Sequence, residues 1–198
     1  MKRIIATLLS LSLVLAVAPA ASAWGGASRG TITDIVAASG GEFDRKRSDY
    51  DILLNAVLAA GLEGPLANPD ATLTVFAPND AAFIRTARDL GYKGRSESGA
   101  WNFLVGALTE LGGGDPIPVL TNILLYHVAP GYYGPLKVIF SRKIPTLLDG
   151  AEIKPRFIFL RDNDPDLRDP RLVLRGINIK ADNGVIHTIN RVLIPIDI

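Results

Sequence analysis

The chain has no cysteine. That excludes a disulfide framework, a thiolate nucleophile and a lipid-bearing N-terminal cysteine. Histidine is nearly absent too: His127 and His187 are the only two, so imidazole chemistry is confined to two positions. No charge of one sign dominates, with 21 Lys and Arg against 20 Asp and Glu. This balance leaves no basic footprint for nucleic acid and no polybasic cluster for an anionic membrane surface. There is no Gly-rich phosphate loop and no G-x-S-x-G nucleophile elbow. Beyond the first 23 residues, no apolar run is long enough to span a bilayer.

What is present starts with an address. "MKRIIATLLSLSLVLAVAPAASA" opens on Lys2 and Arg3, continues as an apolar run and ends in Ala21-Ser22-Ala23. A charged n-region, a short apolar h-region and an A-x-A site predict a cleaved secretory signal over 1–23. The apolar run is too short, and too interrupted by Ser10, Ser12 and Pro19, for a membrane anchor. The expected location is secreted or periplasmic, possible association with a cell surface included. Residues 24–30, "WGGASRG", read as a flexible lead-in, and 31–198 as one domain. Hydrophobic residues make up 48% of the chain, enough for burial alone to hold a single core without staples.

The first half of the domain reads as helices. Thr31 or Thr33 can cap "TITDIVAAS". Ser48, with Asp51 three residues on, suits the start of "SDYDILLNAVLAAGL", whose Ile52, Leu53, Ala56 and Val57 form a stripe. "ATLTVFAP" is a β-branched strand ended by Pro78. Asn79 and Asp80 stand at the cap of the helix that follows, with Phe83 one turn in on the core side. "GAWNFLVGALTELGGG" and "DPIPVLTNILLYHVAPG" are further helices, the second with Asp115 as cap. After Gly131 the pattern changes to period two: "GPLKVIFS", "KIPTLLDG", "AEIKPRFIFLR", "RLVLR", "INIKAD" and "VIHTINRVLIP" read as strands. Asn183-Gly184 is placed at the centre of a two-residue hairpin turn, which pairs Lys180 with His187. Helices first and strands second argue an α+β fold.

Three segments resemble the fasciclin domain family: "TVFAPNDAAF" (74–83), "LLYHVAPG" (124–131) and "NGVIHTINRVLIP" (183–195). They occur in that family's order and span nearly all of 31–198. The resemblance implies a wedge or sandwich of β-strands with helices packed at one side. It also implies an extracellular, non-enzymatic adhesion or matrix-interaction module that binds a protein or glycan partner at a cell surface. It implies no cofactor. Some members of the family carry carotenoids, which makes a carrier of an apolar small molecule, carotenoid or lipid, the alternative. In animal members the Tyr-His segment is linked to partner binding, so Tyr126, His127, Tyr132 and Tyr133 are the expected contact residues. The segment 93–116 is longer than such a domain needs, and the charged stretch 161–171 matches no motif of the family.

His187 sits on a strand that is apolar on both faces, with no nucleophile supplied nearby. A buried imidazole bonded to backbone is the expected role, and Asn79, Asp80, Phe83, Asn183 and Gly184 join it as structural motif residues. His127 ends a helix, where it can bond to unpaired carbonyls. Neither histidine has an acidic residue at metal-ligand spacing, so no metal site is expected there. Asp162, Asp164 and Asp166 imitate the start of an EF-hand loop. Leu167 replaces the required glycine and Val173 the closing glutamate, so a solvated turn is expected, with a weak calcium site as the alternative.

Overall fold

The computed structural model describes residues 28–196; the expected signal at 1–23 and residues 24–27 of the lead-in lie outside that range. Residues 28–30 are tied down. The Asp182 carboxylate accepts from the Ser28 hydroxyl and from the N–H groups of Arg29 and Gly30. Helix α1 (Ile32–Ser39) then starts with a full capping box between Thr31 and Asp34.

Helix α2 (Asp51–Ala59) buries Ile52, Leu53, Ala56 and Val57, the stripe its spacing predicts. Its start corrects the expectation for Ser48. The N–H groups of Asp51 and Ile52 donate to the carboxylate of Asp80, at 3.2 and 2.8 Å. A carboxylate distant in sequence therefore satisfies the first free donors of α2. A one-turn helix, α3 (Glu63–Ala67), carries Leu66 into the core and leads to β1 (Leu73–Pro78).

Helix α4 (Asp80–Asp89) is capped by Asn79, whose Oδ1 accepts from the Ala82 N–H at 3.0 Å. Helix α5 (Glu97–Leu111) occupies most of the long 93–116 segment. Helix α6 (Ile117–Tyr126), with the Asp115 carboxylate accepting from the Ile117 N–H, runs into β2 (Val128–Pro130). "GPLKVIFS" is a helix, α7 (Pro135–Phe140), and not the expected strand. Pro135 stands in the first turn, where its missing N–H costs nothing. Leu136 and Phe140, four apart, both face outward while Val138 is buried.

The remaining strands are β3 (Ile144–Pro145), β4 (Glu152–Arg156), β5 (Phe159–Arg161), β6 (Ile179–Ala181) and β7 (Gly184–Ile189). "RLVLR" is not a full strand. Isolated bridges pair Arg171 with Phe159 and Leu172 with Ile189, and a 3-10 turn covers Leu174–Gly176. One sheet has the order β2-β1-β7-β6 and a second the order β3-β4-β5. At the centre of the first, β1 and β7 run parallel, with Phe76 opposite His187. The chain's first and last strands thus close the fold, and both are buried at every residue.

The sheet divides two cores. Leu73, Val75, Ala77 and Ile186 face α1, α2, α4 and α6 on one side. Phe76 and Ile189 face Tyr126, Val138, Ile144, Ile153 and Leu160 on the other. The β6–β7 hairpin has its turn one residue earlier than the sequence suggests: Ala181 pairs with Gly184, and Lys180 with Val185 rather than His187. The slip is of two residues along the partner strand, so every side chain keeps its face. Two contacts fix the turn. Asn183 Oδ1 accepts from the Ile32 N–H at 2.9 Å while its Nδ2 donates to the carbonyls of Leu66 and Asn68, at 2.8 and 3.0 Å. Gly184, at φ +153°, approaches β1 so closely that a Cβ there would lie 1.9 Å from the Leu73 carbonyl oxygen.

Candidate functional site

The two histidines are both interior, and both are fully engaged by backbone. His127 is 2% exposed and His187 0%. Leu193 N–H donates to His127 Nε2 at 2.9 Å, so that nitrogen must be the acceptor and Nδ1–H the donor, to the Ile123 carbonyl at 2.7 Å. His187 holds the opposite tautomer: Asn178 N–H donates to Nδ1 at 3.2 Å, and Nε2–H donates to the Tyr133 carbonyl at 2.7 Å. Its ring stacks on Phe76, with centroids 5.9 Å apart. Burial pushes His127 down to about 4 and His187 below its ordinary value. Each ring stays neutral, and each clips a C-terminal segment to an earlier one. Neither has a nitrogen left to act as base or ligand.

The expected contact residues therefore separate. Tyr126 and His127 lie inside the protein and present no surface to a partner, which corrects their placement at the adhesive edge. Tyr126 is 0% exposed, and its hydroxyl donates to the Glu152 carbonyl at 3.0 Å; burial raises its pKa well above the usual tyrosine value. Tyr133 is half-buried, its N–H bonded to Thr74 Oγ1 and its ring covered by Lys137 Nζ at 3.8 Å. Tyr132 is exposed and donates to Asn178 Oδ1 at 3.2 Å. Beside it on α7 stand Leu136 and Phe140, 70% and 77% exposed. These two were missed because the stretch was read as a strand; their i, i+4 spacing was the available signal.

A second feature is concave. An apolar groove of about 690 Å³ lies among α4, α5, α6 and the C-terminal segment, lined by Phe83, Trp101, Leu104, Leu108, Ile123 and Ile194 among others. It exists because α5 is apolar along most of its length yet buries only Glu97 and Ala100. Ligand sites are commonly of this size and lining.

Two carboxylates of the charged loop 161–171 accept from backbone. Asp162 accepts from the Ile194 N–H, and Asp164 Oδ1 from those of Asp166 and Leu167. Asp164 is only 3% exposed, so this is a partly buried turn rather than a solvated one. Burial pushes Asp162 up to about 7. Acidic residues that do converge lie elsewhere, at Asp49, Asp51 and Asp80, with Asp44 and Glu97 adjoining Asp51. Sequence reading gave Asp51 only a capping role beside Ser48, and so missed the cluster. Burial pushes Asp80 up to about 8 and raises Glu97 above its ordinary value.

The fasciclin domain model matches residues 48–195. A Synechocystis protein, the uncharacterised sll1735, is 29% identical over 145 residues, covering 73% of this chain and 89% of that protein. Among solved structures, a domain pair from the insect cell adhesion molecule Fasciclin I aligns at a TM-score of 0.53 and 16% identity. That alignment takes in 84% of this chain and 51% of the domain pair, so the chain spans about half of that structure. The likeness is one of fold, and it agrees with the helices and mixed sheets described above. Domains of this family are extracellular as a rule and generally serve adhesion rather than catalysis, and among the described residues no helix is long and apolar enough to cross a membrane. The family match, the α+β architecture and the three motif segments lead to one conclusion: the chain belongs to the fasciclin domain family.

Proposed function

We propose that the protein is an extracytoplasmic, non-catalytic binding module that attaches to a protein or glycan partner at a cell surface or in a matrix. The observation that carries this reading is the apolar edge formed by Tyr132, Leu136 and Phe140, 43%, 70% and 77% exposed. Large apolar side chains grouped on one exposed helix and its preceding loop are what a contact surface offers and what solvent disfavours. The edge directly follows the Tyr-His segment and is anchored from inside where His187 Nε2–H donates to the Tyr133 carbonyl. The test is attachment of cells, or of isolated envelope glycans, to the purified protein. Replacing Leu136 and Phe140 by serine is expected to weaken attachment at least tenfold with folding unchanged. Unaltered attachment in that double variant, with Tyr132→Ser added, would sink the assignment.

The groove favours a second reading, carriage of an apolar small molecule such as a lipid or carotenoid. Its lining is apolar and its volume suits a ligand of that class. Protein isolated from its host would carry an extractable lipid or a visible absorption band, and Ala107→Trp, which fills the groove, would remove it. A colourless protein that yields no lipid would overturn this second reading.

A further inference from the structure

Four carboxylates are buried where α2, α4 and α5 begin: Asp49 is 5% exposed, Asp51 1%, Asp80 0% and Glu97 2%. Asp49, Asp51 and Asp80 each bring an oxygen within 4.8 Å of the other two, and Asp51 stands in the same relation to Asp44 and Glu97. Among the described residues the one cation paired with this cluster is Lys46, whose Nζ lies 3.3 Å from Asp49 Oδ2 and whose side chain is 64% exposed. One solvated ammonium is little compensation for so many buried acids.

Four of the eight oxygens are oriented by backbone. Asp80 accepts from the N–H groups of Asp51 and Ile52, Asp51 Oδ1 from Gly41, and Glu97 Oε2 from Asp44. Gly40 lies against the same carboxylate, so close that a Cβ there would be 2.3 Å from Asp51 Oδ1. Two others have no partner. Asp49 Oδ1 and Asp51 Oδ2 are buried and have no hydrogen-bond partner. Buried polar atoms without partners are rare, and each calls for an explanation, a bound ion or water among them.

We infer that Asp49, Asp51 and Asp80 form a calcium site, with Asp49 Oδ1 and Asp51 Oδ2 as its protein-facing ligands. The donor set is all oxygen, with neither imidazole nor thiolate, which selects hard cations. Calcium accepts carboxylates in irregular arrangements, whereas magnesium demands a near-ideal octahedron and keeps several waters; three acids delivered by a loop and two helix starts suit the former. Backbone N–H groups holding the remaining oxygens are the support that ligating carboxylates ordinarily have. The ion would pin the 40–51 segment to the start of α4, and through Asp51 to Glu97 at the start of α5.

The test uses the whole secreted chain, freed of metal with EDTA, titrated with calcium chloride while heat and melting temperature are followed. One-to-one binding is expected, with a rise in melting temperature of about 5 °C or more at saturation and magnesium at least tenfold weaker. Asp49→Asn and Asp51→Asn should each weaken calcium tenfold or more. Asp164→Asn, a buried acid with a free oxygen elsewhere, should leave it unchanged. No heat and no melting shift in the wild-type protein up to about 10 mM calcium, beyond the range of weak extracellular sites, would overturn the site and leave the cluster held by shared protons. Unchanged affinity in Asp49→Asn, a loop position that spares both helices should Asp51→Asn not fold, would overturn it equally.

Discussion

The central strands and the longest helix are built from equally apolar sequence but meet opposite fates. Every residue of β1 and β7 is buried, the two strands lying side by side between two cores. Helix α5 has fifteen residues and buries only Glu97 and Ala100. The strands have side chains packed on both faces and backbone bonded on both edges. The helix meets its neighbours across a groove that it lines together with α4, α6 and the C-terminal segment. Apolar sequence supplies the capacity to be buried, but the arrangement of neighbours decides whether that capacity is used. What is left unused is where this protein has room for a ligand.

One substitution made in both regions breaks the symmetry most sharply. Gly184→Ala would drive a Cβ to 1.9 Å from the Leu73 carbonyl oxygen at a φ of +153°. A loss of at least about 4 kcal/mol is expected, enough to unfold many domains; urea denaturation would read it. On the same hairpin, Asn183→Ala removes three hydrogen bonds and strands the Ile32 N–H and the carbonyls of Leu66 and Asn68. About 3 kcal/mol should go, seen as a lower urea midpoint.

Acid tests the next tier. The folded pKa of His127 is depressed to about 4 from 6.5. Between those values the unfolded chain binds a proton that the folded chain refuses, so its contribution is complete above pH 6.5 and lost as pH falls towards 4. The loss is up to about 3 kcal/mol. His127→Gln, compared with wild type by melting temperature across pH 7 to 4, should flatten that slope; parallel curves would show that the ring is not held neutral. Smallest and opposite in sign is Gly106→Ala on α5. A Cβ there meets nothing within 4 Å, so the helix should gain about 0.5–1 kcal/mol. A loss instead would mean that α5 is packed more tightly than its exposure indicates.

Much of the fold was legible. The stripe of α2, the strand β1, the cap at Asn79 and the order of the three motifs all rest on local chemistry, namely spacing, β-branching and side-chain oxygens next to free N–H groups. The misreadings share a different cause. Ser48 was a sound local cap, but Asp80 arrives from another helix and takes the donors. The turn at Asn183-Gly184 was recognised but shifted, because Asn183 is claimed by Ile32, Leu66 and Asn68 and Gly184 by Leu73. "GPLKVIFS" has strand-like residues but a proline-started helix wins, with Val138 alone needed inside. At the candidate site, Tyr132 was seen and Leu136 and Phe140 were not.

Left to itself, the sequence determined the α+β class and the identity of each hydrogen-bonding and apolar group, since these follow from residue type and near neighbours, and its three motif segments carried the family resemblance. Only the tertiary structure decided which groups are inside. It took Tyr126 and His127 off the surface, gave the two histidines opposite tautomers, left a groove beside α5 and gathered Asp49, Asp51 and Asp80 from three segments. Burial and convergence are properties of chains brought together across long separations, and no window of local sequence contains them.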